Sequence, residues 1–109
     1  MVLIIRQKAD EDSLKKASGD LDGYVKVVVD VRRKILSAGG KLHSDGERLL
    51  LEDGSKQADL WGGGIDLETN EIDFDSMINL RPGQGNSSRE VLDQNTRKTM
   101  EAVIRSLLK

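Results

Sequence analysis

A chain of 109 residues with no cysteine and a single histidine, His43, can hold neither a disulfide nor a thiolate or multi-histidine metal site. Its 37% hydrophobic and 33% charged content favours one folded domain over disorder, and its net charge of −2 argues against nucleic-acid binding. The apolar start is too short for a signal peptide, and no stretch approaches the ~18–20 apolar residues of a membrane span. We therefore expect a soluble, cytoplasmic protein that forms a single domain over residues 1–109 and has no membrane partner.

The first twenty residues are predicted to form a strand and then a short helix. The apolar run from Val2 to Ile5 contains β-branched residues and is typical of a strand. Polar residues that favour helix starts follow it at Asp10, Asp12 and Ser13. We therefore expect a short helix to begin there and to end near Gly19.

The segment from Leu21 to Ala38 carries two conflicting patterns. A strand-like alternation is formed by Val25, Val27, Val29 and Val31. A helix-like spacing is formed by Leu21, Val25, Val28, Val31 and Ile35. Because three consecutive cations precede Gly39-Gly40, and cations followed by glycine are typical of a helix C-terminus, we interpret the segment as a helix.

Between Lys41 and Arg81 the pattern changes to that of a four-stranded antiparallel meander. Asp45-Gly46 lies just before the apolar run Leu49 to Leu51, which is a strong hairpin signal. A second turn is predicted at Asp53-Gly54, and a third strand over residues 58–67. Three glycines interrupt that strand at positions 62–64 and suggest a bulge or a bend.

The fourth strand is predicted over residues 72–80, after a turn at residues 68–71. Alternation places one set of side chains on the buried face, namely Ile72, Phe74, Ser76, Ile78 and Leu80. Asp73 and Asp75 then point to the other face, and the turn places Asp66 opposite Asp73.

The last segment is predicted to be an amphipathic helix that follows a glycine-rich loop. Ser87 with Glu90 could form a capping box, and Asp93 is a second candidate for the N-cap. The apolar face comprises Met100, Val103, Ile104, Leu107 and Leu108. The predicted fold class is thus α+β: an N-terminal strand and helical region, a four-stranded antiparallel meander, and a C-terminal helix packed on one sheet face.

Several phrases of the chain resemble a known family. They are Leu42-His43, Leu49 to Gln57, Asp59-Leu60-Trp61, and Phe74 to Pro82 with Gln84-Gly85-Asn86 and Ser88. The chain is similar over nearly its whole length to small bacterial and archaeal proteins catalogued as a domain of unknown function. The resemblance implies one intact domain and no particular chemistry.

The loop from Arg81 to Arg89 is the best candidate for a binding site. It runs from a predicted strand towards a predicted helix, and glycines and a helix N-terminus can expose backbone N–H groups to an anion. The candidate ligand-binding residues are Arg81, Gln84, Asn86, Ser87, Ser88 and Arg89, with Asn79. We expect a small anionic or phosphorylated ligand; the alternatives are a capped loop that satisfies its own backbone, and a protein-interaction or homo-oligomer module.

Three weaker candidates remain. Four carboxylates, on Asp66, Glu68, Asp73 and Asp75, could hold a calcium or magnesium ion, but a solvated edge is the favoured interpretation and no metal site is assigned. His43 could act as a general base with Asp45 or Asp75 in a small hydrolase or transferase, although a polar residue in a hairpin is the simpler interpretation. Trp61 could stack on a ligand but is expected in the core.

Overall fold

The computed structural model describes residues 1–109 as an α+β fold with one five-stranded antiparallel sheet and three α-helices. The strands are β1 (Val2–Ile5), β2 (Tyr24–Asp30), β3 (Ile35–Gly39), β4 (Leu60–Asp66) and β5 (Ile72–Asp73). The helices are α1 (Glu11–Ser18), α2 (His43–Glu52) and α3 (Gln94–Leu108). The strand order is β1-β3-β2-β4-β5. The predicted fold class is confirmed, whereas the strands come partly from other segments of the chain.

Helices cover both faces of this sheet. On one face, α1 and α3 pack over a core that includes Val25, Val27 and Val29. The predicted apolar face of α3 is buried there, and Trp61 belongs to the same core, as expected. On the other face, Leu50 of α2 packs on a smaller cluster with Val28, Ile35 and Leu60. None of the three helices has the length and apolar composition needed to span a bilayer.

The helix predicted over residues 21–38 is wrong, because β2 and β3 form a hairpin there. From Val27 to Asp30 both faces of β2 are buried, so the alternation is interrupted at Val28, and the spacing of the valines fits a helix by coincidence. The turn depends on Asp30, a fully buried carboxylate that accepts hydrogen bonds from the backbone N–H groups of Arg32 and Arg33 and from the Ser55 hydroxyl. That last bond comes from a residue far along the chain.

The hairpin predicted at Asp45-Gly46 is also wrong, because both residues lie in α2. Gly46 is buried against β3, and a Cβ at this position would collide with the Ser37 hydroxyl and lie 3.4 Å from Val28 Cγ2. This glycine therefore permits close contact between a helix and the sheet. The pair Asp45-Gly46 is typical of a turn, but here the glycine is needed for packing of the helix on the sheet, and both cases give the same sequence pattern.

The predicted fourth strand and its register are wrong as well. β5 has two residues, and the chain then forms a 3₁₀ turn at Met77–Asn79. Asp73 is paired with Gly64 instead of Asp66, and Leu80 is exposed while Asn79 is fully buried. The glycine run produces no bulge, because β4 pairs with β2 without interruption from Leu60 to Asp66.

The N-termini of α1 and α3 follow their predicted capping residues. The Asp10 side chain accepts a hydrogen bond from Ser13 N, and the Asp93 side chain accepts one from Thr96 N at 2.9 Å. The capping box proposed for Ser87 and Glu90 does not form, because α3 begins only at Gln94. The loop from Arg81 to Arg89 therefore does not lead into a helix N-terminus.

Candidate functional site

Asn79 is a fully buried carboxamide that joins the candidate loop to the sheet. Its Oδ1 accepts a hydrogen bond from Gly62 N at 2.8 Å. Its Nδ2 lies within hydrogen-bond distance of three carbonyl oxygens, those of Gly62, Phe74 and Arg89. Every polar atom of the side chain is thus used within the chain, and none is free for a ligand.

A second buried carboxamide, Asn86, closes the loop on itself. Its Nδ2 lies within hydrogen-bond distance of the carbonyl oxygens of Asn79, Ser88 and Glu90, and its Oδ1 accepts from Leu92 N. These contacts fix the chain between the 3₁₀ turn and the segment that leads to α3. The loop thus satisfies its own backbone groups, which is the alternative to a ligand-binding loop.

Arg81 fastens the loop to the beginning of β4. Its guanidinium donates to the carbonyl oxygens of Gln57 and Leu60, both at 2.6 Å, and lies 4.0 Å from the centroid of the Trp61 ring. Burial lowers the pKa of Arg81 from its usual value. Gln84 adds a bond to the Ala58 carbonyl. The terminal nitrogens of both side chains therefore hold the loop to the protein, while Arg81 Nε is buried without a hydrogen-bond partner.

The remaining candidates lie at the far end of the loop. Ser88 accepts a hydrogen bond from Glu90 N through its hydroxyl, and Ser87 is exposed. Arg89 lies 3.3 Å from Asp75 through Nε and Oδ1, and it lines a cavity. Of the seven residues predicted to bind the anionic ligand, Arg89 is the one that lines this cavity.

The cavity has a volume of about 570 Å³ and lies on the α2 side of the sheet. Its walls come from distant parts of the chain: the start of β2, the start of α2, the segment after β4, and the end of the loop. The polar groups that line it are Tyr24, Lys26, His43, Ser44, Asp73, Asp75, Ser76, Arg89 and Glu90. Three apolar residues, Leu42, Met77 and Ile78, complete the lining. This volume is in the range of small-molecule sites.

The glycine run of β4 allows four cavity residues to approach the strand. A Cβ at Gly62 would lie 2.6 Å from Ser76 Cβ and 3.2 Å from His43 Cδ2. At Gly63 it would collide with the Asp73 carbonyl oxygen, and at Gly64 with the Tyr24 hydroxyl. Three consecutive glycines weaken a strand. These close contacts explain their presence, because a larger residue at any of the three positions would collide with a neighbour.

His43, the first residue of α2, is held in one tautomer by β4. Its Nε2 lies 2.7 Å from the Gly63 carbonyl oxygen, which can only accept, so Nε2 carries the proton. In the neutral ring Nδ1 is then an acceptor, and it makes no hydrogen bond within the chain. Desolvation lowers the pKa of His43, and the Lys26 charge contributes in the same direction. His43 is thus a neutral base at neutral pH.

The predicted carboxylate partners of His43 do not form hydrogen bonds with it. Asp45 points towards Arg48 at 3.9 Å, and Asp75 is paired with Arg89. Ser76, the buried serine of the cavity, packs against Gly62 beside His43 Cδ2, which is a ring carbon. His43 Nδ1 can therefore accept a hydrogen bond or a proton from a ligand. His43, Ser76 and the aspartates do not form a serine–histidine–carboxylate triad.

We predict that His43 makes stability fall in weakly acidic solution. Its pKa is lower in the folded chain than the unfolded value of about 6.5, so the unfolded chain binds more protons below that pH. The free energy of unfolding should fall as the pH drops from about 6.5 to the folded pKa, and then level off for this group. Urea denaturation between about pH 5 and pH 7 measures it.

His43→Gln is the control for that measurement, because the chain has no other histidine. It should remove the slope in this range. A slope of equal size in the variant would contradict the assignment of the pH dependence to His43.

Some charged groups of the cavity have an ion-pair partner within the chain, and others have none. Tyr24 donates its hydroxyl to Asp73 at 2.5 Å, and desolvation together with this contact raises the pKa of Tyr24. Arg89 is paired with Asp75, and Glu90 with Arg97. Lys26 makes neither a hydrogen bond nor a salt bridge with another residue, although it shares the cavity with two aspartates. Asp73 has no cationic partner within 4 Å.

The acidic residues that were considered for a metal ion do not cluster. Asp66 turns its carboxylate towards the backbone N–H groups of Glu68 and Thr69 in its own turn. No group of three or more histidine, cysteine, aspartate or glutamate side chains is positioned to hold a metal ion. The predicted pairing of Asp66 with Asp73 is wrong, because β4 and β5 pair Gly64 with Asp73.

Sequence reasoning missed Tyr24 and Lys26 as cavity residues. Both lie on β2, which was interpreted as a helix, so their common face could not be recognised. One signal was available in the triple glycine, since consecutive glycines in a strand also indicate close approach of another group.

Comparison with known proteins supports the expected relationship. A family described as "Protein of unknown function (DUF5674)" matches residues 3–107. No curated protein and no solved structure matches the chain.

Proposed function

The chain belongs to the DUF5674 family, and from the geometry of its cavity we propose that it binds a small molecule through an anionic group. The observation that carries this proposal is Lys26, a cation without an ion-pair partner inside a cavity of about 570 Å³. The ligand class is the one expected from the sequence. The site lies beside the end of the glycine-rich loop, at Arg89, rather than along the loop itself.

The start of α2 supports an anion beside Lys26. The N-cap residue, Leu42, has no side-chain acceptor for the first N–H groups of the helix, and Leu42, His43 and Ser44 all line the cavity. An uncapped helix N-terminus carries a partial positive charge. A carboxylate or phosphate next to Lys26 would meet two positive contributions from different elements.

We expect Lys26→Gln to weaken anion binding by about tenfold or more, because a charge-assisted hydrogen bond contributes roughly 1.5–3 kcal/mol. The probes are inorganic phosphate and 4-methylpentanoate, titrated against the ¹⁵N-labelled protein. Saturable shifts of the Ser44 and Gly64 amide signals report binding at the cavity.

Lys98→Gln is the matched control, because Lys98 is an exposed residue of α3 outside the cavity and its replacement removes the same charge. It should leave both titrations unchanged. Equal weakening in the two variants would indicate general charge screening and would contradict the proposed site.

The alternative function is a protein-interaction or homo-oligomer module. It is favoured by Leu42 and Met77, which are 59% and 63% exposed beside the same cavity. Sedimentation over a range of protein concentrations distinguishes the two: self-association that phosphate and 4-methylpentanoate do not alter would favour the module. Location in the cytoplasm and the lack of a nucleic-acid partner remain proposals from composition.

A further inference from the structure

The cavity contains charges of both signs that do not neutralise each other. Lys26 lines it without a salt bridge, and Asp73 lines it without a cation within 4 Å. Oppositely charged side chains that share a partly desolvated space normally pair. Since these two do not, each is available to a different part of one ligand.

The wall formed by His43 and Asp73 consists of acceptors. His43 Nδ1 has no hydrogen-bond partner in the chain, because Nε2–H is taken by the Gly63 carbonyl. Asp73 receives only neutral donors, the Tyr24 hydroxyl and the Asp75 N–H group. A ligand group facing this wall must donate hydrogen bonds, and the adjacent aspartates favour a positive charge on it.

Another part of the lining is apolar. Leu42 and Met77 are both more than half exposed, and Ile78 lies next to Met77. An aliphatic substituent of a bound molecule would cover these side chains and remove apolar surface from water.

We propose that the ligand of this cavity is a small amino acid with an aliphatic side chain, its carboxylate beside Lys26 and the start of α2 and its ammonium group between His43 Nδ1 and Asp73. This inference rests on the proposed function, since the carboxylate occupies the anion site. It adds the ammonium group and the apolar substituent. The cavity of about 570 Å³ accommodates a molecule of this size.

The test compares three probes that differ in one group: leucine, 4-methylpentanoate without the ammonium group, and leucinamide without the carboxylate. Affinities for the unmodified protein are measured by calorimetry and by the shifts of the Ser44 and Gly64 amides. Leucine is expected to bind at least about tenfold more tightly than either analogue.

Two variants show which residues are responsible for the tighter binding of leucine. Asp73→Asn should reduce leucine to the affinity of 4-methylpentanoate and leave 4-methylpentanoate unchanged, whereas Lys26→Gln should weaken both. Asp59→Asn, which removes an aspartate outside the cavity, is the control. A denaturation curve for each variant confirms that it is folded, and if Asp73→Asn unfolds, the comparison of leucine with 4-methylpentanoate on the unmodified protein decides the test.

The outcomes separate the two proposals. Equal affinities for leucine and 4-methylpentanoate, both dependent on Lys26, overturn the amino-acid ligand and leave the anion site. Phosphate binding without leucine binding also overturns the amino-acid ligand and leaves the anion site. Leucinamide binding that is as tight as leucine binding, and independent of Lys26, overturns both, as does the absence of binding by every probe at millimolar concentration.

Discussion

Replacement of Asn79 by alanine is expected to lower the free energy of unfolding by about 4 kcal/mol or more. The side chain is fully buried, and it bonds Gly62 N together with three backbone carbonyls. Each buried group left without a partner costs about 1–3 kcal/mol, and alanine leaves several of them at once. Urea denaturation monitored by Trp61 fluorescence measures the change.

Asn95→Ala provides the comparison, because Asn95 is exposed near the start of α3 and its side chain makes no hydrogen bond. That substitution should change stability by less than about 0.5 kcal/mol. A loss below about 1 kcal/mol for Asn79→Ala would contradict the network through which the loop is attached to β4. The seven candidate residues of the loop would then have to be reconsidered as free for a ligand.

The elements that sequence reasoning identified correctly are those with a single buried face and a local signal at the end. The end of the chain illustrates this. Asp93 caps α3, and the residues spaced one turn apart, from Met100 to Leu108, cover one face of the sheet. Capping and amphipathicity are both properties of neighbouring residues, so they can be read without knowledge of the rest of the fold.

The elements that were wrong depend on distant residues. β2 is buried on both sides from Val27 to Asp30, so burial there carries no period, and the turn after it is stabilised by Ser55 from beyond α2. Gly46 was interpreted as part of a turn because its real partner, Ser37, lies on another element. In each case tertiary contacts decided between two local patterns of similar strength.

The candidate site shows the same limit. The chemistry of the loop was judged by residue type, but Arg81, Asn79 and Asn86 are polar because the backbone near them needs partners. A buried side chain that satisfies the backbone and a side chain that binds a ligand have the same composition. Only the position of their partners distinguishes them, and that position follows from the order of the strands.

Gly63→Ala is expected to be among the most damaging single-methyl additions in the chain, with a loss of about 3 kcal/mol. The new Cβ would collide with the Asp73 carbonyl oxygen and would lie 3.3 Å from Asp73 C and 3.4 Å from Phe74 Cα. These are backbone atoms, so relief requires β5 to move away from β4. At Gly64 the nearest obstacle is the Tyr24 hydroxyl, at the far end of a side chain that can rotate, whereas at Gly62 it is Ser76 Cβ, which side-chain rotation does not move.

Gly83→Ala is the matched substitution, because a Cβ at Gly83 meets no atom within 4 Å and its φ lies outside the left-handed region. It should be neutral or stabilise the protein by up to about 1 kcal/mol, since alanine restricts the unfolded chain. Urea denaturation of the two variants gives the comparison. If Gly63→Ala were as harmless as Gly83→Ala, the Asp73 segment would not press on β4. Asp73 would then not be fixed in the cavity wall that it forms with His43, and both the glycine run and this acceptor wall would lose their explanation.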